Sequence, residues 1–318
     1  MEKIRFIDLF SGIGAFHQAL SDDKYECVLA CDTDKYCREV YKKNYDVIPK
    51  GDIKELREIP NHDILCAGFP CQPFSISGKQ EGFSDDRGDL FFEVYKIIKK
   101  KKPEIVLLEN VKNLVTHDNG NTLQIIIELL EKENYYVSYK VINAVDFGLP
   151  QKRERLYIVA NKKQKFNFPN SNNITKKYLK DIIDYSDDKF LQKEKLINLN
   201  PDDKEQKLQL KPLRIGIIKK GGQGDRIYSD KGVAITISAS SGGTGSKTGL
   251  YYINGGIRRL NLLECARIQG FPDDFKTASS KTQSYKQFGN SIPVNVLKSI
   301  VKEVEKQITG EKLWINRR

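Results

Sequence analysis

Cys71 lies in Gly68-Phe69-Pro70-Cys71-Gln72-Pro73-Phe74-Ser75, directly behind the apolar run Asp63-Ile64-Leu65-Cys66-Ala67. That run reads as a buried strand. Gly and Pro then force a sharp turn that presents Cys71 at the strand's end. In open α/β sheets the carboxyl ends of strands are where ligands bind. A thiol held there is placed for nucleophilic attack. The competing reading is a small buried packing residue, as most free cysteines are. Further along, Glu109 closes the apolar run Ile105-Val106-Leu107-Leu108. An acid in that position is partly desolvated, which favours its protonated form and suits it to acid catalysis. Arg153 and Arg155 are two apart on an extended segment and point the same way. They suit a polar, anion-like target, or else guard a surface strand edge.

A second group suits a nucleoside. The strand Ile4-Arg5-Phe6-Ile7-Asp8-Leu9-Phe10 runs into Ser11-Gly12-Ile13-Gly14-Ala15-Phe16 and a helix through Leu20. A glycine turn between strand and helix lets a ligand approach the backbone and aims amide groups at it. The third glycine of GxGxxG is missing, which argues against a dinucleotide pyrophosphate and allows a nucleoside without phosphates. Asp32 ends the next strand, ~20 residues beyond Gly12, where a ribose-gripping carboxylate is placed. Asp52, in the turn Gly51-Asp52-Ile53, can accept a bond from an adenine amine. Either acid can equally be a helix cap.

These residues need a framework, and the chain supplies one. Strands are expected at 4–10, 27–31, 63–67, 105–108, 135–142 and 156–160, with helices to Lys102, over 121–132, around 262–268 and from Gly289 to Ile308. Lys99-Lys100-Lys101-Lys102-Pro103 reads as a helix terminus, lysines complementing the dipole and Pro stopping the chain. The polar loop from Ser75 to Arg87 is long for a strand–helix connection, and such loops are functional or mobile. From Lys163 to 212 the chain is rich in Lys, Asn and Asp and reads as a linker. Residues 213–256 alternate short strands with glycine loops, one of them Gly221-Gly222-Gln223-Gly224-Asp225-Arg226. Such loops can reach base edges in a groove, or they are plain hairpins.

The chain has 318 residues and a net charge of +11, enough for a large domain and a smaller one, with a polyanion as the simplest partner. The opening Met1-Glu2-Lys3-Ile4-Arg5 lacks the apolar core of a signal peptide. No apolar run approaches the ~18 residues of a membrane span. A soluble protein of the cytoplasm is expected. The six cysteines form neither a disulfide scaffold nor a paired zinc spacing, so no metal is expected.

Phe-Ile-Asp-Leu-Phe-Ser-Gly-Ile-Gly (6–14), Gly-Phe-Pro-Cys-Gln-Pro-Phe-Ser (68–75), Glu-Asn-Val (109–111), Gln-Lys-Arg-Glu-Arg (151–155), Arg-Arg-Leu-Asn-Leu-Leu-Glu-Cys-Ala-Arg (258–267) and Gly-Asn-Ser-Ile-Pro-Val-Asn (289–295) follow one another in order. In this set the chain resembles the cytosine-5 DNA methyltransferase family over nearly its whole length. Within that family it is most similar to the HhaI-type bacterial branch, including residues 221–228 with Thr236 behind them.

The resemblance implies an α/β, Rossmann-like S-adenosylmethionine-dependent methyltransferase fold with a smaller, mainly β target-recognition domain. It places the catalytic and cofactor domain at 1–180, completed by 286–318, target recognition at 181–260 and a hinge at 261–285. Cys71 is then the nucleophile toward cytosine C6, and Glu109 offsets the charge developing on the ring. Arg155 holds the cytosine O2 and Arg153 orders the Cys71 pocket. S-adenosylmethionine lies along Phe10, Gly12, Ile13, Gly14, Asp32, Thr33, Asp52, Ile53 and Pro70, with Asn290 closing the site. Chemistry at C5 requires a base flipped out of the duplex. Ser77 and Gln223 match positions that fill the gap, Arg226 is the candidate guanine contact, and Thr236 completes the DNA-binding set. The implied target is the inner cytosine of GCGC in double-stranded DNA, methylated by a monomer beside a companion restriction endonuclease in a bacterial cytoplasm.

An RNA-directed enzyme of the same fold, a DNA-binding regulator without catalysis and a nicotinamide-dependent dehydrogenase are the rivals. The recognition segment opposes the first, intact Cys71, Glu109 and Arg155 the second, and the missing third glycine the last.

Overall fold

The computed structural model describes residues 3–70, 90–187, 189–190, 197–199, 207–218, 222–239 and 248–308, and of 197–199, Gln223 and Ile308 only the backbone. Two compact units divide the chain: residues 1–142, 154–169 and 300–318, and residues 143–153 and 170–299.

In the first unit, β1 (Ile4–Leu9), β2 (Tyr25–Cys31), β3 (Ile64–Ala67), β4 (Ile105–Val111), β5 (Tyr136–Asn143) and β6 (Glu154–Asn161) form one sheet in the order β2-β1-β3-β4-β6-β5. β1 pairs in parallel with β2 and β3, and β3 in parallel with β4, so the carboxyl ends of all of them share one edge. β6 alone among the pairs of β4 runs antiparallel to it, with Val111 opposite Arg155 and Glu109 opposite Tyr157.

Alternate strand residues Ile7, Leu9, Leu65, Ala67, Val106, Leu108, Leu156 and Ile158 share a core with Phe91, Val94 and Ile98 of α3 (Leu90–Lys101) and Leu123, Ile126 and Leu130 of α4 (Asn121–Lys132). Period two on the strands and steps of three and four on the helices turn these residues toward each other. The intervening Phe6, Cys66, Leu107 and Tyr157 are buried as well. A sheet covered on both faces explains why its strands read as unbroken apolar runs. On that second face lie α1 (Ala15–Ala19) and α2 (Lys35–Tyr45), the latter capped by Asp34 accepting from the Tyr36 amide at 2.9 Å. α3 ends where the lysine run predicts, with Lys102 in a left-handed conformation, its amide donating to the Ile98 carbonyl at 2.7 Å.

The second unit is built on shorter elements. β7 (Ile197–Leu199), β8 (Arg214–Ile218), β9 (Arg226–Ser229), β10 (Leu250–Ile253) and β11 (Gly256–Arg258) make a sheet in the order β11-β10-β9-β8-β7, antiparallel except between β9 and β10. Its sheet carries an apolar cluster of Ile215, Ile218, Ile227, Leu250 and Ile257, and Leu260, Ile268, Phe271, Phe275 and Phe288 are buried as well. α5 (Leu262–Gln269) and α6 (Lys281–Asn290) follow, then α7 (Val294–Ile308). Helices α2 and α6 were absent from the sequence expectation. α6, Lys-Thr-Gln-Ser-Tyr-Lys-Gln-Phe-Gly-Asn, buries only Ser284, Gln287, Phe288 and Gly289, too few apolar residues for a period to show.

Buried polar contacts join the apolar ones. Arg258 and Glu264, 1% and 0% exposed, form a bidentate pair at 2.8 and 2.7 Å. Glu264 also closes a capping box with Asn261 at the start of α5 and accepts the Asp184 amide at 2.9 Å. Among the described residues no helix is long and apolar enough to cross a membrane.

Removing one partner of a fully buried pair strands the other charge. Glu264→Ala is expected to cost about 3–5 kcal/mol of stability, read from the urea midpoint. Glu264→Gln, which keeps the amide-accepting oxygen, is expected to cost less.

Candidate functional site

At the edge where β1, β3 and β4 end, the first unit gathers several of the sequence candidates. β3 stops at Ala67; Phe69 is buried against Phe91, ring centroids 5.4 Å apart, and Pro70 is exposed. Cys71 and Ser77 lie outside the described residues. The turn leading to Cys71 is held from below. Buried Asn110 donates from Nδ2 to the Phe69 carbonyl at 2.9 Å, while its Oδ1 accepts the Val111 amide at 2.8 Å. Sequence reasoning singled out Glu109 in Glu-Asn-Val and passed over its neighbour. The signal was a second polar side chain, next to Glu109, in a strand that begins as an apolar run.

Glu109 is 8% exposed, and its Oε1 lies 3.2 Å from Nε of Arg155. The register produces this contact. Arg155 faces Val111, so Glu109, two residues earlier on β4, is its diagonal neighbour on the same face. A carboxylate and a guanidinium, side by side and nearly buried at a sheet edge, can hold neighbouring polar atoms on one edge of a planar ring. Arg153 takes other partners. It is 2% exposed in the second unit, with guanidinium bonds to the carbonyls of Ile237 at 3.1 Å, Gly289 at 3.0 Å and Ser291 at 2.7 Å.

Around the glycine turn the backbone itself is unusual. Phe10, Gly12 and Gly14 have φ of 53°, 54° and 87°. For an aromatic residue the left-handed region costs about 1–3 kcal/mol, and such outliers cluster at ligand sites. The Gly12 amide donates to Asp32 Oδ2 at 2.8 Å, and the Asp34 amide to Oδ1 at 2.8 Å. Burial pushes the Asp32 carboxyl up from its ordinary value, opposed by those two amide bonds. Each oxygen keeps a further lone pair for a hydroxyl. A Cβ at Gly12 would meet nothing within 4 Å. An open, amide-lined turn beside a carboxylate fits a nucleoside, so these residues fit the expected cofactor. Thr33 is exposed, Ile53 is buried, and Asp52 caps the short turn Ile53–Glu55 by accepting the Lys54 amide at 2.9 Å.

Beneath the turn is a layer the sequence did not announce. A Cβ at Gly14 would fall 2.1 Å from the Tyr45 ring, whose hydroxyl donates to the Gly14 carbonyl at 2.9 Å. Tyr45 stacks on His17 with ring centroids 4.1 Å apart, and His17 Nδ1 lies 2.8 Å from the Tyr41 hydroxyl. Tyr41 donates to Asp8 Oδ2 at 3.2 Å. Asp8 is 0% exposed, and burial holds its carboxyl well above the usual range. Burial also pushes the His17 imidazole down to about 4, so this ring is uncharged at neutral pH. The available sequence signal was Asp8, an acid inside an apolar strand.

The remaining candidates belong to the second unit. Arg226 opens β9 half-buried, and its Nε is buried without a partner among the described residues. The Thr236 hydroxyl donates to the Lys152 carbonyl at 2.6 Å. Asn290 ends α6 and is exposed; of Gln223 only the backbone, in the turn Gln223–Asp225, is described. Among the described residues no cluster of His, Cys, Asp or Glu could hold a metal ion.

Residues 4–306 match the model of the C-5 cytosine-specific DNA methylases. The Type II methyltransferase M.HhaI of Haemophilus parahaemolyticus is 48% identical over 305 residues, covering 93% of this chain and 93% of its own. M.DsaV of Dactylococcopsis salina, also a Type II methyltransferase, is 40% identical over 317 residues, 96% of this chain and 87% of its own. Among solved structures, the Dnmt2 methyltransferase of S. pombe aligns with a TM-score of 0.70 at 18% identity, covering 96% of this chain and 99% of that one. At that identity the likeness speaks for the fold alone. The methyltransferase fold expected from the motifs is the fold found.

Gly14→Ala is expected to cost about 2–4 kcal/mol, from its left-handed backbone and the Tyr45 ring together. In a Tyr45→Ala background the same change should cost only about 1–2 kcal/mol. Equal costs in the two backgrounds, measured by urea unfolding, would show that the ring is not the obstacle.

Proposed function

Because this chain belongs to the C-5 cytosine-specific DNA methylases and is a DNA (cytosine-5-)-methyltransferase, we propose that it flips one cytosine out of duplex DNA and methylates it with S-adenosylmethionine as the donor. The observation that carries the reading is the Glu109–Arg155 pair at the carboxyl end of β4, on the edge where the turn toward Cys71 begins.

Cytosine C5 is a weak nucleophile. In this reading the Cys71 thiolate adds to C6, the ring gains electron density, and C5 becomes enamine-like; among side chains, cysteine is the best suited to that attack near neutral pH. The negative charge spreads to N3 and O2. Glu109 shares a proton with N3 while Arg155 donates to O2, so the charge is met by groups already in place. Their contact at 3.2 Å supports this, since each fixes the other before the base arrives. Arg153 orders the neighbouring segment. Once C5 has been substituted, a base removes its proton and Cys71 leaves with its electron pair.

S-adenosylmethionine supplies an electrophilic methyl group when bound. Phe10, Gly12, Ile13, Gly14, Asp32, Thr33, Asp52, Ile53 and Pro70 would hold its nucleoside part, with Asp32 accepting from the ribose, and Asn290 would close the site.

Duplex DNA as the partner is supported by the net charge of +11 and by the Type II relatives. Arg226 would read a guanine, Gln223 and Ser77 would fill the space of the flipped base, and Thr236 would steady the recognition segment. Residues 181–260 serve recognition in this reading, and 1–180 with 286–318 serve catalysis. The target is the inner cytosine of GCGC, protected by a monomer against a companion endonuclease.

Bisulfite sequencing of unmethylated plasmid, after incubation with protein and S-adenosylmethionine, tests the whole reading. Protection confined to the inner cytosine of GCGC is expected. Protection at another motif would discard the target and keep the chemistry; protection nowhere would discard both. Cys71→Ser is expected to lose more than about 1000-fold in rate while still binding DNA. Arg226→Ala should cost about 1–3 kcal/mol of discrimination at one base pair.

A further inference from the structure

Gln151 is 0% exposed, and both ends of its amide are engaged. Its Nε2 donates to the Ile268 carbonyl at 3.2 Å, and its Oε1 accepts the Ile237 amide at 3.1 Å. Ile268 lies in the last turn of α5, where carbonyls have no partner inside the helix. Ile237 follows Thr236. The side chain therefore joins a helix end to the segment that carries Thr236.

The backbone around Gln151 continues the pattern. Ala234 donates to the Pro150 carbonyl at 2.8 Å and Lys152 to the Ala234 carbonyl at 2.9 Å, a single parallel bridge centred on Gln151 and Ala234. Beyond it no strand forms, and side chains take over. The Thr236 hydroxyl reaches the Lys152 carbonyl at 2.6 Å, and Arg153 reaches the Ile237 carbonyl at 3.1 Å. Residues 150–153 and 234–237 are thus zipped by bonds of which only the first two are backbone to backbone. One bridge fixes register weakly. Gln151 supplies the fixed point for the rest.

We propose that Gln151 is a positioning residue for target discrimination: it locks the segment carrying Thr236 onto the segment that runs through Arg153 into Arg155. This rests on the reading given above, in which Thr236 serves recognition and Arg155 holds the base. Base readout and base capture need geometry held to a fraction of an ångström, and slack between those segments degrades the cognate complex more than an already imperfect one. A residue that only stabilised the fold would scale every substrate alike.

The test is kcat/KM on a cognate duplex and on duplexes with one base pair changed, for wild type, Gln151→Met and Gln151→Asn. Met keeps the volume without the bonds; Asn keeps the amide on a shorter arm that cannot span both partners, so it serves should Met not fold. Ser284→Ala, a buried site in α6 bonded to the Ala278 and Ser280 carbonyls, is the control for destabilisation alone. The cognate-to-mismatched ratio is expected to fall about tenfold in the Gln151 variants, and not in the control. Hydrogen exchange should show the Ile237 amide losing protection while amides of β1 and β4 keep theirs. An unchanged ratio, or an Ile237 amide as protected as before, overturns the proposal. Failure of wild type to methylate any duplex would sink the function reading and this role with it, and shows before any variant is made.

Discussion

The antiparallel register of β4 against β6 is the constraint on which the candidate site depends. Val111 faces Arg155, and therefore Glu109 meets Arg155 on the diagonal, Oε1 to Nε at 3.2 Å. A slip of one residue would send every side chain of β6 to the other face and leave Glu109 buried beside no guanidinium. Apolar residues enforce that register from the opposite face. Leu156 and Ile158 share a core with Val106 and Leu108, so a slip would draw Leu156 and Ile158 out of that core and turn Arg155 into it. The charged pair thus borrows its precision from the hydrophobic side of the same strands. Parallel pairing of β1, β3 and β4 adds the second half of the arrangement, bringing the glycine turn and the turn toward Cys71 to the same edge.

The second unit combines apolar packing with buried polar bonds. Its sheet gathers a few isoleucines and a leucine on short strands, and Phe271, Phe275 and Phe288 pack ring against ring. Buried guanidinium groups and amides add to that apolar packing. Arg258 grips Glu264, Arg153 ties carbonyls of Ile237, Gly289 and Ser291, and Gln269 donates to the Phe288 carbonyl at 2.7 Å. Directional bonds of this kind fix helix ends and connecting segments to one another. Gly289 shows how closely they are drawn together, since a Cβ there would lie 2.3 Å from the Ser238 carbonyl oxygen.

That contrast accounts for what could be read from the sequence. The strands of the first unit were legible because burial on both faces leaves an unmistakable run, and α3 and α4 because their apolar steps match the sheet they cover. The motifs pointed to the family, and the family model bears that out. Asp32 and Asp52 each had two readings, ligand and cap. Both make local amide bonds in the structure, Asp32 to Gly12 and Asp34, Asp52 to Lys54, and such bonds leave lone pairs to spare. Tyr45, Asn110 and Gln151 escaped notice because each acts on a backbone atom far away in sequence: Gly14, Phe69 and Ile268. No local pattern records a side chain's distant carbonyl. Arg153 and Arg155 were read as one pair by their spacing, and their partners separate them.

Asp8 carries a thermodynamic consequence of its own. Its carboxyl keeps its proton in the folded protein to a pH well above 3.8, whereas in the unfolded chain, among water, it would let the proton go near that value. Across the interval between the two, unfolding releases a proton into the solvent. By linkage the contribution of Asp8 to stability is complete below 3.8 and declines as pH climbs toward the folded value, the reverse of ordinary acid denaturation. The released proton must be taken up by the buffer, so the heat absorbed on melting depends on which buffer is present. Between a phosphate and an amine buffer at one pH the calorimetric enthalpies differ in proportion to the buffers' own ionisation heats, and the difference gives the net protons exchanged, the release from Asp8 set against the uptake by His17.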